Sequence, residues 1–482
     1  MKKFFARLTL SGFLCTFLFG SDYDKWLQEQ NNEFVQYKKT IDDEFTNMLK
    51  KDWQAFKTMY NPTPYKKPKP ILLPIIKKEI VLPKKELEKS VIVKIKKPIF
   101  IKKDMPKKEE LTPLIQKPKP IANFNQLEFD FYSTPITIEY DPKTYFNLHN
   151  TNNKSISSYW DKLNKTKYTP IIKQINSYRT LLQFNDWATY LLTYKIGFEI
   201  YQNDNMANLF TWFILSKMQY DVKVGYNDSD IYLMSTMKHE LYQVAFFTLK
   251  TKRYYVLTPK GRIRKIDTLY TYKGRYPNTT KSLNFEFAGP IKLFSNIQNR
   301  TLDFEYESQK YDVKASYSAD LIDFYKTFPQ SDYKIYFKTT SKSTSNSLLS
   351  QLRPIVQNKT ELEAVNMLLR FVQTSFKYKT DFNQFTYEKV FFPEETLFYE
   401  YSDCEDRSIM FSFLVEELLG LDVVAIKFSN HLATAVAFSS YVKGDSFNFQ
   451  NKRYTMTDPT YINANVGMTM PKYINSTFKI IP

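Results

Sequence analysis

A chain of 482 residues carrying 40 Phe and 36 Tyr against only 10 Gly has the apolar content for packed structure, roughly three domains at about 150 residues each, and is not a disordered chain. Its net charge of +18 is concentrated, because residues 61–120 hold 17 Lys against six acidic residues, so no domain-wide basic surface supports nucleic-acid binding. Two cysteines are too few for a disulfide framework, and ten glycines leave little room for a phosphate-cradling loop.

Taken in order, the chain opens with Lys2, Lys3 and Arg7 ahead of an apolar run from Leu8 to Phe19, with Gly20-Ser21 as a small-residue cleavage site. This predicts a secretory signal over 1–21. The run is shorter than the ~20 residues a spanning helix needs, and Gly12-Phe13-Leu14 before Cys15 lacks the small residue next to the Cys that a lipoprotein signal shows. An exported protein of the periplasm or cell envelope is expected, with Cys404 as the thiol of the mature chain.

Trp26, Phe34, Tyr37, Ile41, Phe45, Met48, Trp53 and Phe56 recur at mostly three- and four-residue steps, predicting an amphipathic helix over 22–60. Its aromatic stripe suits either self-association, as in a coiled coil, or packing onto its own protein. Residues 61–120 contain 11 of the 23 prolines, which excludes helices and central strands and predicts an extended, solvated spacer. An α+β domain is expected over 121–261, with strands at Leu127–Tyr132 and Ile136–Tyr140 and helices within Tyr168–Met218. A β-rich domain is expected over 262–340, with strands at Leu283–Phe287, Leu302–Tyr306, Tyr311–Tyr317 and Tyr333–Lys338. Thr339–Asn346 reads as a joint, and 341–482 as a final domain opening with helices Ser347–Gln357 and Glu361–Phe376.

The chemistry gathers between Tyr401 and Asp458. Cys404 precedes a run of apolar residues from Ile409 to Leu419 that Gly420 stops, so it belongs at the N-terminus of a buried helix, where the helix dipole favours a thiolate. Leu421–Phe428, Leu432–Phe438 and Arg453–Thr457 read as strands, which sets His431 and Asp458 on neighbours packed against that helix. A thiol, an imidazole and a carboxylate are what nucleophilic cysteine chemistry requires. Asp403, Glu405 and Asp406 are expected to cap the helix or pair with Arg407, and one Cys with scattered His makes no metal-ligand set. Neither cofactor nor metal is expected.

The chain also echoes itself. Phe411–Val423 aligns without gaps on Phe210–Val222, and Lys452-Arg453-Tyr454 before Asp458-Pro459 matches Lys252-Arg253-Tyr254 before Thr258-Pro259. His431 stands five residues before Val436-Ala437-Phe438, as His239 does before Val244-Ala245-Phe246. The expectation is a degenerate second copy with Asn203 at the place of Cys404, His239 at that of His431 and Thr258 at that of Asp458. Chance similarity of two helix–strand–strand segments is the competing explanation.

Asp403-Cys404-Glu405-Asp406-Arg407 opening a helix, Asn430-His431 opening a strand and Asp458-Pro459 closing the next resemble the transglutaminase-like cysteine peptidase superfamily, across about 361–471. Glu361–Phe376 followed by Tyr378 resembles the helix preceding the cysteine in such proteins, and Ser402 stands where relatives often have Gly. The resemblance implies a papain-like α+β fold with Cys404 as nucleophile, His431 as general base and acid, and Asp458 as its orienter. It implies an exported thiol amidohydrolase or peptidase acting on peptide, protein or cell-envelope substrates. Acyl transfer to an amine and a non-catalytic envelope scaffold are the alternatives. Gln373, Gln384 and Tyr401 are candidate side-chain oxyanion donors.

Overall fold

The computed structural model describes residues 20–61, 73–81, 91–93, 120–148, 150–261, 266–294 and 296–482. The expected signal, most of the Lys/Pro-rich segment and His149 lie outside the described residues. The fold is α+β, with several sheets.

Helix α1 (Gly20–Leu49) stops short of the expected end at residue 60, and Trp53–Lys57 and Met59–Tyr60 form strands β1 and β2. Trp53 and Phe56 continue the three-residue rhythm of α1, yet aromatic residues also favour pleated edges, and here a sheet edge is available: Trp53 lies opposite Tyr272. After the hairpin β3 (Asn125–Phe131) and β4 (Thr134–Tyr140) come helices α2 (Asn153–Asn164), α3 (Thr169–Leu181), α4 (Asp186–Tyr201) and α5 (Asp204–Lys217). Buried residues ring both α4 and α5, the pattern of core helices. The C-terminal end of α1 joins this core. Phe45 meets Trp160 edge-on at 4.7 Å, and Lys217 bonds Asp42 at 2.6 Å.

Strands β5 (Val222–Tyr226), β6 (Ile231–Ser235), β7 (Ala245–Leu249), β8 (Lys252–Leu257) and β9 (Thr268–Tyr272) form a sheet in the order β1-β9-β5-β6-β8-β7-β2. Residues 262–340 therefore make no domain of their own. They supply β9 to this sheet, then the hairpin β10 (Ile297–Tyr306) and β11 (Gln309–Ser318), then α6 (Ala319–Thr327) and α7 (Tyr333–Phe337). Tyr333–Lys338, expected as a strand, is thus largely helical, and Leu283–Phe287 makes only an isolated bridge from Leu283 to Met237. The expected joint at 339–346 is taken up by α8 (Lys342–Val356), because the Ser341 hydroxyl accepts from the Thr344 N–H and caps it. Ser/Thr runs cap helices as readily as they join domains.

Helix α9 (Glu361–Ser375), strand β12 (Lys377–Tyr378), short helices α10 (Asp381–Phe385) and α11 (Pro393–Phe398), strand β13 (Tyr401–Ser402) and helix α12 (Cys404–Leu419) follow. Gly420, at φ 68°, ends α12 in the left-handed conformation that suits glycine. Then come β14 (Asp422–Lys427), β15 (Leu432–Ala437), β16 (Ser446–Phe449), β17 (Lys452–Thr457) and β18 (Lys479–Ile481), ordered β16-β17-β15-β14-β18.

This sheet repeats the first. Reading β14 to β18 as β5 to β9 gives the same neighbours, all antiparallel. The registers agree as well. Val222 faces Ser235 as Val423 faces Val436, Phe246 faces Tyr255 as Ser446 faces Thr455, and Tyr226 faces Tyr270 as Lys427 faces Lys479. Lys252 bonds Asp221 as Lys452 bonds Asp422. Phe247 stacks on Tyr254, and Phe447 on Tyr454, both at 12° between planes.

Two described pieces of the Lys/Pro-rich segment are bound to the protein, which departs from a purely solvated spacer. Ile76 donates to the Ile462 carbonyl, Asn463 and Asn465 donate to the carbonyls of Ile76 and Ile80, and Glu79 pairs with Arg370 at 2.7 Å. Val91 and Val93 exchange backbone hydrogen bonds with Glu361 and Lys359. Extended backbone without its own ladder meets its hydrogen bonds on a neighbouring surface.

Candidate active site

Cys404 is the first residue of α12 and is buried. Leu432, directly after His431, opens β15, so its N–H reaches the sulfur and its carbonyl takes the Ser408 hydroxyl at 3.2 Å. β15 and β17 are locked together by the Thr434 and Thr457 hydroxyls, 2.7 Å apart. That pairing sets His431 against Asp458, with Nε2 2.8 Å from Oδ2. The other Asp458 oxygen accepts the Thr460 N–H at 2.9 Å, fixing the carboxylate. His431 Nδ1 has no hydrogen-bond partner among the described residues. The structure thus gathers Cys404, His431 and Asp458 in one buried place, with one face of the imidazole oriented and the other nitrogen available.

The thiol itself differs from expectation. Its hydrogen bond runs to Glu405 Oε2 at 3.0 Å, and none joins it to His431. Burial, then the neighbouring Glu405 and Asp403 carboxylates, push its pKa well up, while the Leu432 N–H pulls the other way. The field of the helix terminus is outweighed by desolvation and two adjacent acids, so the resting group is a neutral thiol.

Arg407 does not pair with the acids. Its guanidinium donates to Ser402 Oγ and to the carbonyls of Gln373 and Phe376. Asp406 does serve the helix start, accepting from the Asp403 N–H at 3.1 Å and from the Phe391 N–H at 2.9 Å. Among the described residues no N–H donor is bonded to either oxygen of Asp403. Asp381, from α10, comes within 4.8 Å of Asp403 and Asp406, and Glu388 approaches Asp381 and Glu405 as closely. Burial first, and one another next, push Asp381, Asp403 and Asp406 well above the usual carboxylate range. An all-oxygen set of this kind suits a hard cation such as Ca²⁺. Asp381 and Glu388 are distant in sequence from Asp403, Glu405 and Asp406 and join them only through the fold.

Three further residues come from the structure. Tyr473 lies parallel to the His431 ring at 5.2 Å and 11°, and its hydroxyl donates to Asn430 Oδ1 at 2.9 Å. Burial and the charges of Cys404 and Asp458 raise its pKa to about 12. The Tyr378 hydroxyl is near enough that Cys404, after burial, is the largest influence keeping it neutral. Gln373, an expected oxyanion candidate, is fully committed: its amide nitrogen donates to the carbonyls of Asp458 and Ala464, and its oxygen accepts from Arg370 and Asn463. Tyr401 holds Lys379 over its ring in a parallel pair with Lys377, and Gln384 sits on α10. No hydrogen bond joins either to Cys404.

The same registers locate the matching positions in the first sheet. Thr434 opposite Thr457 corresponds to Leu233 opposite Leu257, so Asp230 occupies the place of His431. His239, expected there, instead lies in the loop between β6 and β7 and bonds Asn284 at 3.1 Å. The error came from matching Val-Ala-Phe runs that sit on different strands of the repeat. Asn203 and Thr258 do fall at the places of Cys404 and Asp458, and Asn203 caps α5 through the Met206 N–H. A polar pocket lined by Gln202, Asn203, Asn205, Met206 and Ile231 opens there. Comparison with models of known protein families, with curated proteins and with solved structures finds no match to this chain.

Proposed function

We propose that this chain is an exported thiol amidohydrolase of the transglutaminase-like, papain-like type, acting on peptide or protein substrates of the cell envelope through an acyl-enzyme at Cys404. The observation that carries the reading is the buried His431–Asp458 pair with its unpartnered Nδ1, immediately before Leu432, whose N–H reaches a thiol at a helix N-terminus. Asp458 fixes the imidazole so that Nδ1 can take the thiol proton. The sulfur then attacks the amide carbonyl, and in this reading the Tyr378 hydroxyl and the Cys404 N–H are the donors to the oxyanion. Proton return from His431 to the leaving amine breaks the C–N bond, and water cleaves the thioester to regenerate the thiol. The repeated sheet, with Asn203, Asp230 and Thr258 at the three positions, has neither the thiol nor the imidazole of this chemistry and is read as a non-catalytic copy. Export rests on the leader sequence; no helix among the described residues is long and apolar enough to cross a membrane.

Transfer of the acyl group to an amine shares the first half-reaction, and incubation with a glutamine peptide and a labelled amine separates it from hydrolysis. A second reading, a non-catalytic envelope scaffold, is favoured by the neutral, Glu405-bonded thiol beneath Tyr473. Iodoacetamide labelling of Cys404, followed by mass spectrometry, distinguishes enzyme from scaffold. For the enzyme, the rate at pH 7 exceeds that of a free thiol and drops about 10²-fold or more in His431→Ala, the scale of general-base assistance. A rate indifferent to His431, rising only above the ordinary thiol range near pH 8.5, establishes the scaffold instead.

A further inference from the structure

Segment 74–80 of the Lys/Pro-rich region lies along the loop that follows Asp458. Ile75 bridges Ile462 in parallel, and the Ile462 N–H donates to the Pro74 carbonyl at 3.2 Å. Both carboxylate oxygens of Glu79 are engaged. One accepts the Glu307 N–H, from the turn between β10 and β11, at 2.9 Å, and the other accepts Arg370 Nη1 at 2.7 Å. The Arg370 side chain, on α9, is 3% exposed, and Glu79 is the one carboxylate paired with it among the described residues. Burial works against the charge of Arg370, and Glu79 is the largest influence restoring it.

The guanidinium is tied in turn to the Asp458 loop. Its Nε donates to Gln373 Oε1 at 3.2 Å, and Nη2 reaches Asn465 Oδ1 at 3.5 Å. Gln373, one turn further along α9 and buried, donates its amide to the Asp458 carbonyl at 3.1 Å and to the Ala464 carbonyl at 3.0 Å. A chain of bonds thus runs from Glu79 through Arg370 and Gln373 to the backbone of Asp458. The Asp458 carboxylate is itself oriented by the Thr460 N–H of this loop, so a shift of the loop moves the partner of His431. We propose that Glu79 is a positioning residue for Asp458, and that segment 74–80 is a brace the candidate site needs to hold His431 in place. This rests on the reading of Cys404, His431 and Asp458 as a catalytic triad. A buried guanidinium deprived of its carboxylate is an uncompensated charge that seeks water. Its departure releases Gln373 Oε1, which also accepts the Asn463 N–H at 3.2 Å.

Iodoacetamide labelling of Cys404 in the full protein at pH 7 tests this. Glu79→Ala should slow labelling about 10- to 100-fold, the scale of misplacing a reacting group by about 1 Å. In an Asp458→Asn background the same substitution should change the rate less than about twofold, because a residue acting through Asp458 then has nothing left to position. Glu79→Gln, which keeps an acceptor for Arg370 but not the charge, should fall between the two and carries the test if Glu79→Ala does not fold. Equal slowing in both backgrounds marks a merely structural role and overturns the proposal, as does a native rate in Glu79→Ala where His431→Ala is slow. A rate indifferent to His431 removes the enzyme reading, and the low-field proton resonance of the His431 imidazole N–H bonded to Asp458 then decides. Its loss in Glu79→Ala sustains the brace, and its persistence overturns it.

Discussion

Tyr473 shows how much a single ring can govern. Stacked on His431 and close to Cys404 and Asp458, it covers one face of the imidazole. A stacked ring contact is worth ~1 kcal/mol, so Tyr473→Ala should raise the labelling rate of Cys404 about five- to tenfold, read by mass spectrometry at pH 7. The buried carboxylates around Asp403 set a second test. Mutual repulsion in a desolvated site is relieved either by protons or by a bound cation, so millimolar Ca²⁺ should raise the melting temperature at pH 7 by several degrees. A chelator should reverse this, and Asp403→Asn should abolish most of the response. A third residue lies far from the thiol. Burial lowers the Lys223 pKa to about 7, while the unfolded chain holds it near 10.5. Between those values the unfolded state binds more protons, so stability rises with pH from about 7 towards 10.5 and is lost as pH falls from 10.5 to about 7, below which this group changes nothing further. Melting curves at pH 7 and pH 9 should show a smaller rise in Lys223→Met than in the native protein.

Cys404, His431 and Asp458 were readable because each sits at the edge of an element whose period is plain in the sequence: an apolar run, a strand, a strand. Tyr473 and Asp381 were not, because they reach the site from a turn and a one-turn helix with no periodic signature. The thiol's electrostatics were misjudged for a related reason. A helix terminus is a local feature, whereas burial and the approach of Glu405 depend on the whole fold.

At the scale of elements, the two sheets touch through loops that end at the candidate site. Gln243, in the loop between β6 and β7 and at φ 61°, donates its amide to the Glu388 carbonyl at 2.7 Å, while Gln330 Oε1 accepts the Val390 N–H at 2.8 Å. Phe391, the next residue, donates to Asp406. The non-catalytic sheet therefore buttresses the segment that borders the thiol. Gln243→Leu strands a buried carbonyl, at a cost of about 1–3 kcal/mol, and should alter the Cys404 labelling rate. Leu233→Ala, of similar or greater cost to stability but inside the first sheet, should leave that rate near the native value. The strand rhythm of the second sheet was legible in the sequence, and so was the Lys-Arg-Tyr repeat that opens β8 and β17. The strand-by-strand correspondence was not, because pairing register is carried by backbone geometry that side-chain identity records only weakly.

Over the whole molecule, the first 93 residues visit both repeats. α1, β1 and β2 belong to the first, at whose sheet β1 and β2 form the two edges, and the pieces around Ile76–Ile80 and Val91–Val93 lie against the second. Between them in sequence come residues 62–72, where Lys66–Lys67 is the one bond after a lysine that a trypsin-like protease can cut, Lys67 and Lys69 each being followed by proline. A cut there severs the polypeptide but removes none of the contacts on either side. The nicked protein should show two bands on a denaturing gel and one unchanged peak in gel filtration. Proteolytic maturation at that point would thus be silent in quaternary terms, and a fragment pattern in a cell extract would say nothing about whether the two pieces had parted.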